Sequence, residues 1–446
     1  MSTDLSSAEP RPAWSESSRR IPRAVVQPAL RFMNTEAAGG MVMLAAGVLA
    51  LLWANSPWYH AYETLWSTPV DLRVGSAIEL TGLDLHALVN DALMTLFFLL
   101  AGLEIKRQLV KGELRDPRAA ALPAVAALGG MLVPALVYLA FNAGHPGAHG
   151  WGVPVATDIA FAVGVVSLVG NRVPIGARIF LLTLAVVDDI GGILVIAVFY
   201  AEDVQFSWLA VAALAIALAV LAGRSDIRSI VPYIVCGVVC WYSLHHAGVE
   251  SAITGVVFGL LTPTEPVHGS DTFGRRMRDF VGQIERGEEP HVVHNVQKVA
   301  LDAVSPLDRV EHKLGLWVAF LIVPLFAFAN AGVHLGGETL DMRIMLGVGA
   351  GLVLGKAIGV FAAAFLAVRT GLGILPAGTT WRHVFGLAVT AGIGFTVALF
   401  VATLSFDDLA HTASAKVGIL SASVIAGVLG YLLLRSVPVR SGADDA

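Results

Sequence analysis

Residues 179–200 read IFLLTLAVVDDIGGILVIAVFY, an apolar stretch whose only charged residues are Asp188 and Asp189 at its middle. Its length matches the about 20 apolar residues that a helix needs to cross the hydrocarbon core of a bilayer. Insertion scales put a charge at the centre of such a span at about 2.5–3.5 kcal/mol. Two adjacent carboxylates at that depth therefore have to be paired, hydrated, or neutralised by a bound cation or proton.

Working outward, the rest of the chain has the same apolar character. Of its 446 residues 56% are hydrophobic and 14% charged, and its mean hydropathy is +0.73. A soluble fold has no place for that much apolar surface. Apolar stretches at roughly 37–54, 86–105, 119–141, 153–169, 177–200, 207–222, 229–244, 249–262, 314–333, 344–368, 383–404 and 413–434 predict an all-α polytopic membrane protein with twelve transmembrane helices.

The connecting loops alternate in charge. Arg19, Arg20, Arg23 and Arg31 precede the first stretch, and Lys106, Arg107, Lys111, Arg115 and Arg118 follow the second. Arg172 and Arg178, Arg224 and Arg228, Arg369 and Arg382, and Arg435 and Arg440 keep the pattern. The intervening loops lack this excess and carry Asp84, Glu202, Asp203, Glu338, Asp341, Asp407 and Asp408. By the positive-inside rule the basic ends are cytoplasmic, which puts both termini inside.

The expected organisation is a mobile cytoplasmic tail at 1–33, transmembrane helices 1–8 at 34–262, a charge-rich and partly helical cytoplasmic loop at 263–313, helices 9–12 at 314–436, and a second tail at 437–446. The N-terminal tail has no apolar core and does not read as a cleaved signal peptide. The net charge of −5 and the absence of a basic patch point away from nucleic acid. Cys236 and Cys240 supply neither a disulfide framework nor a metal set and are expected to be packing residues.

Further ionisable residues stand inside apolar runs. Asp158 lies in VPVATDIAFAVGVVSLVG (153–170) and Lys356 in IMLGVGAGLVLGKAIGVFAAAFLAV (344–368). Three acids against one lysine leave an excess of buried carboxylate, to be balanced by a proton or a hard alkali cation but not by both at once. Mutually exclusive binding is the chemistry of exchange. Successive residues on a helix point about 100° apart, so one of Asp188 and Asp189 can face an ion path while the other meets Lys356. Pro154 before Thr157, and Gly392 and Gly394 before Thr396, break two of the runs, a pattern of interrupted helices whose ends meet at mid-membrane. Unwound carbonyls and the Thr157 oxygen then become ligands. Gly347, Gly351, Gly355 and Gly359, four apart, read as a helix-contact stripe.

Other chemistries fit less well. The acids lack the flanking residues of an intramembrane aspartyl protease and the Asp-x-x-x-Asp spacing of a prenyltransferase. GLVLGKA around Lys356 fails as a phosphate loop, because Ala350 stands where a glycine is needed and Ala357 where a Ser or Thr would hold magnesium. A channel would want a carboxylate ring rather than an acid pair with a lysine.

Several segments are specific enough to resemble one family. FFLLAGLEIKRQL (97–109), VATDIAFAVGVVSLVGNRVP (155–174), LAVVDDIGGILVIAVFY (184–200), EHKLGLWVAFLIVPLFAFANAGV (311–333) and AGIGFTVALFVATLSF (391–406) are similar, in this order, to segments of NhaA-type sodium/proton antiporters. The resemblance runs from about Asn34 to Leu434. It implies inverted repeats of helices 3–5 and 10–12 with the fourth and eleventh helices broken, a topology named for this family. It also implies a secondary transporter without cofactor, not an enzyme, in the bacterial cytoplasmic membrane. Electrogenic, pH-controlled exchange of Na+ or Li+ for H+ is expected, and a homodimer whose contact the hydrophilic stretch 70–85 would suit as a small outer hairpin.

Residue by residue, the resemblance makes Asp189 the direct cation ligand and Asp188 the partner of Lys356, with Asp158 and Thr157 in the broken fourth helix. Glu104, Glu311 and His312 fall in segments tied to the cytoplasmic funnel and pH sensing. One departure is Glu250 in AGVESAITGV (247–256), where better-known members carry a histidine. A carboxylate has the opposite charge logic, so the pH control has to be this chain's own.

Overall fold

The computed structural model describes residues 38–74, 78–201, 203–225, 230–266, 270–285, 295–296, 299–300, 303–336 and 340–438. The expected tails at 1–33 and, apart from Val437 and Pro438, at 437–446 lie outside the described residues.

Helices dominate. In chain order they are α1 (Ala38–Ala54), α2 (Tyr59–Trp66), α3 (Leu85–Val110), α4 (Pro117–Asn142), α5 (Ile159–Val169), α6 (Ile175–Phe199), α7 (Phe206–Arg224), α8 (Ile230–His246), α9 (Ile253–Leu261), α10 (Ser270–Glu285), α11 (Pro306–Asn330), α12 (Met342–Arg369), α13 (Trp381–Thr390), α14 (Phe395–Ser405) and α15 (Leu409–Arg435). A 3-10 segment, Pro146–Val155, leads into α5.

Among the described residues seven helices are long and apolar enough to cross a membrane, α3, α4, α6, α7, α11, α12 and α15. The number rises to ten if each of three bent pairs counts as one span. The chain is thus a predominantly helical, multi-pass membrane protein. One small exception to the all-α expectation is the antiparallel hairpin β1 (Pro69–Val74) and β2 (Ile78–Asp84), which falls in the hydrophilic stretch 70–85.

Helix starts explain the loop acids. Asp84 accepts the Ala87 N–H at 2.7 Å, Asp341 the Arg343 N–H at 2.8 Å and Asp408 the Ala410 N–H at 2.8 Å, capping α3, α12 and α15. A carboxylate there satisfies an orphan donor and meets the positive end of the helix dipole. Part of the acidity of these loops is therefore capping chemistry. The same chemistry moves one boundary: Ser305 accepts the Asp308 N–H and Pro306 takes the first helical position, so α11 starts at Pro306, inside the stretch expected to be loop to 313. The rest of that expected loop contains α10.

Three helices widen to a π-turn, at Val89–Leu93 in α3, Val318–Ile322 in α11 and Gly351–Gly355 in α12. Such bulges concentrate at functional positions, and the third ends directly before Lys356. α4 lies along α12, α3 along α9, α7 along α8 and α1 along α11, while α15 packs on α12 and α13.

The packed interior is two apolar layers. One takes Ala177–Leu184 of α6 and Val360–Ala367 of α12, and the other takes Val186–Ile196 of α6 and Ile344–Leu352 of α12. Asp188 lies where the two layers meet along α6, and Lys356 in the gap between them along α12. Leu132, Leu136, Leu194, Val198, Leu214 and Leu366 are among many large apolar side chains left exposed on the outside of the bundle, where lipid is the natural solvent. Cys240 packs with Ala212, Ala215 and Leu244 as a free thiol, in keeping with a packing role.

Candidate functional site

The site forms where two broken helices cross beside α6 and α12. The chain bends by 46° between Pro146–Val155 and α5, and by 45° between α13 and α14. Gly392, in the second break, is held so close to α12 that a Cβ there would stand 2.4 Å from the Leu352 carbonyl oxygen. Only glycine lets the break settle against that helix.

Asp158 joins the two breaks. It caps α5 by accepting the Phe161 N–H at 3.0 Å through Oδ1. Its Oδ2 accepts the Thr396 N–H at 3.1 Å and the Thr396 hydroxyl at 2.7 Å, and its own N–H donates to Ile393 O at 2.7 Å. One buried carboxylate thus faces the N-terminal ends of α5 and α14, where helix dipoles favour negative charge. Both its oxygens are occupied, so Asp158 is a bracket between half-helices as much as a candidate ligand.

Asp188 and Lys356 are both fully buried, and the Lys356 Nζ donates to Asp188 Oδ2 at 2.5 Å. A Cβ on Gly130 of α4 would come within 3.9 Å of that Nζ and 2.7 Å of Val360 Cγ2, so a glycine keeps the slot for the lysine stem open. Thr157 lies against the Asp188 carboxylate and gives its hydroxyl proton to Ala391 O at 2.8 Å. Its hydroxyl lone pairs remain available to a cation.

Two carboxylate oxygens in this seam, Asp188 Oδ1 and Asp189 Oδ1, are sealed from solvent with no hydrogen-bond partner. Asp189 feels the charges of Asp188, Asp158 and Lys356. Unpartnered buried carboxylate oxygens are costly, and a proton or an oxygen-seeking cation would relieve them. Among the described residues no three His, Cys, Asp or Glu side chains close around a common metal point. The available set of carboxylate, hydroxyl and carbonyl oxygens suits a hard cation, not a transition metal.

The structure thus brings Asp188, Asp189, Asp158, Thr157 and Lys356 together. A second cluster gathers at the basic end of the bundle. Arg107 pairs with Glu104 and, at 3.0 Å, with Glu311, and Gln108 donates to Glu104 at 2.9 Å. Lys111 meets Asp308 at 3.1 Å. Lys106 donates to Leu260 O at 2.7 Å. His312 is exposed. Between α4 and α6 this end opens into a cleft of about 720 Å³ lined by Gln108, Lys111, Ile179, Leu182 and Thr183, among others.

Glu250 stands apart from both clusters, in the turn between α8 and α9, with Asp91 as its charged neighbour. Unanticipated from sequence is a closed ring of hydrogen bonds joining α3 to α11. His86 meets Asn330 at 3.1 Å, Asn330 donates to Asn90 at 2.8 Å, and Asn90 meets His86 at 3.2 Å. The signal was Asn330, a lone polar side chain in the apolar run AFANAGV.

A multi-pass bundle with broken helices crossing beside a buried acid pair and its lysine defines a membrane ion carrier. The comparisons make this specific. The family profile Na+/H+ antiporter 1 matches residues 30–434. The chain is 45% identical to Na(+)/H(+) antiporter NhaA 2 of Sorangium cellulosum, over 100% of this chain and 98% of that one. It is 44% identical to Na(+)/H(+) antiporter NhaA of Oleidesulfovibrio alaskensis, over 92% and 94%, and 44% identical to Na(+)/H(+) antiporter NhaA 2 of Myxococcus xanthus, over 99% and 95%. The chain belongs to the NhaA family of Na+/H+ antiporters. Sodium transport by antiport is its class of function.

Proposed function

We propose that this protein exchanges Na+, or Li+ in its place, for protons across the bacterial cytoplasmic membrane, electrogenically and under pH control. The observation that carries the proposal is the Asp188–Lys356 pair at 2.5 Å beside two orphaned carboxylate oxygens, on Asp188 and Asp189. Asp189 is the direct cation ligand, and Asp188, Thr157 and backbone carbonyls of the breaks complete the shell. The ion is cargo and no cofactor takes part.

The arrangement couples the two ions through charge. A cation entering beside Asp189 competes with the Lys356 ammonium for Asp188. Removing one partner of a buried pair leaves an uncompensated charge, a penalty of about 3–5 kcal/mol. Shedding a proton from the displaced lysine avoids it. Proton uptake on the opposite side restores the pair and expels the cation. With Asp189 and Lys356 both able to lose a proton, more than one proton moves per Na+, which makes the exchange electrogenic.

In the same proposal the bundle has twelve transmembrane helices, helices 3–5 and 10–12 form inverted repeats, and both termini are cytoplasmic. The Glu104–Arg107–Glu311 cluster and the cleft beside it form the cytoplasmic entrance. There Glu104, Glu311 and His312 contribute to pH sensing, and Glu250 replaces a histidine in that control. The β1–β2 hairpin supports a homodimer.

Inverted membrane vesicles test the exchange. With the membrane energised and a pH-sensitive dye present, NaCl or LiCl collapses the proton gradient and KCl does not, while Asp189→Asn abolishes the response. Failure of sodium and lithium alike, or a wild-type response from Asp189→Asn, refutes the proposal.

A further inference from the structure

Resting on the antiport reading, we propose that Glu250 is a proton relay on the transport path, taking protons from the outer surface and passing them toward Asp189. The reason lies on one face of α6. Ile193 and Ile196 are four and seven residues beyond Asp189, so they share its face of the helix, whereas Ile193, five beyond Asp188, diverges from that residue's face. Together with Phe98, Val256, Phe400 and Glu250 they line a narrow apolar cavity. Glu250 is therefore the one ionisable lining group of a cavity on the Asp189 side of α6, at the end of the bundle away from the open cleft. Leu182, seven residues before Asp189, lines that cleft on the same face. Asp189 thus stands between an open cleft on one side and, on the other, a cavity too tight for water with a carboxylate in its wall.

Beyond Glu250 the chain of ionisable groups reaches solvent. Its Oε1 accepts the Ala252 N–H at 3.1 Å, which fixes the side chain over α9. Asp91, at the π-turn of α3, is its electrostatic neighbour and lies 3.6 Å from His245 Nδ1; the two side chains are 25% and 33% exposed. Asp84 and His246 are the other ionisable groups acting on this cluster. Outer water can protonate Asp91 or His245. In the relay step an O–H bond forms on Glu250 as an O–H bond breaks on Asp91 or a hydrating water, or an N–H bond breaks on His245. When the cavity opens and wets, the Glu250 O–H bond breaks and one forms on Asp189, displacing the cation outward. No other bond changes.

Glu250→Gln and Glu250→Asp test this with two readouts. The first is the maximal rate of Na+-driven proton flux in inverted vesicles as a function of lumenal pH, which is the outer side. The second is proton release when NaCl is added to purified protein in weak buffer, which reports the Asp188–Asp189 site alone. The relay predicts that Glu250→Gln lowers the maximal rate at least tenfold, with an unchanged KM for Na+, a flattened response to lumenal pH, and wild-type proton release; Glu250→Asp recovers part of the rate. A wild-type maximal rate with a displaced pH profile would leave Glu250 with its part in pH control alone and overturn the relay. Loss of proton release in Glu250→Gln would tie the residue to the integrity of the bundle and overturn it equally. Absence of proton release in the wild type would instead refute the antiport reading itself.

Discussion

Lys356 concentrates the energetics of the site in one residue. Its ammonium is fully buried and meets a single carboxylate at 2.5 Å, so Lys356→Ala leaves Asp188 charged and unpaired in a dry seam. The expected loss is about 3–5 kcal/mol, read as a lower Tm in detergent together with a displaced pH profile of exchange. At Asp158 the expected effect is smaller. Thr396→Val removes a hydroxyl donor at 2.7 Å, and losing one hydrogen bond to a charged acceptor costs about 1.5–3 kcal/mol; thermal unfolding with Na+ present measures it. Asp188, Asp189, Asp158 and Lys356 were legible in the sequence because charge inside an apolar run has few bland explanations. The hydrogen-bond partners of Asp158 were not, because Thr396 is 238 residues away and only the crossing of two breaks brings it there. The ring of His86, Asn90 and Asn330 was not legible either, because the amides of Asn90 and Asn330 carry no charge penalty to announce them.

Each interrupted helix was visible from its glycines and proline, whereas what each break touches was not. Gly392 packs its backbone on Leu352 at a distance that excludes a methyl group. Gly392→Ala is expected to force the α13–α14 break away from α12, with an overpacking cost of about 1–3 kcal/mol and transport reduced more than the change in Tm accounts for. Measuring Na+-driven proton flux per folded protein separates the two effects. The glycine stripe at 347, 351, 355 and 359 proved to be contact surface, with Gly355 against Pro134 and Gly359 against Gly129 of α4. Its sequence spacing did not reveal that the helix loosens into a π-turn between Gly351 and Gly355, since that depends on packing from neighbouring elements. Start positions shifted where capping outweighs hydropathy, as at Ser305 and Pro306.

At the scale of the whole molecule, the described residues leave a cleft of about 720 Å³ that reaches α6 at Leu182 and Thr183 on the basic side, while the cavity beside Ile193 is too tight for water. An otherwise cysteine-free protein carrying Leu182→Cys, at a cleft position 38% exposed, is therefore expected to react quickly with a membrane-impermeant maleimide from the basic side, and one carrying Ile193→Cys to stay unlabelled from either side until transport is driven; labelling of Ile193→Cys at rest would contradict a closed cavity at that end. The charge alternation of loops and the apolar runs made the multi-pass architecture readable. Which end stands open was not readable, because it depends on how helices pack and not on which residues they contain. Central to the proposed exchange is that Na+ and H+ exclude each other at Asp188 and Asp189. The direct test is to add NaCl to the purified protein in weak buffer and count protons released against 22Na+ bound. More than one proton released per Na+ bound, lost in Asp189→Asn, is the result predicted; Na+ bound at wild-type affinity with no protons released would contradict it.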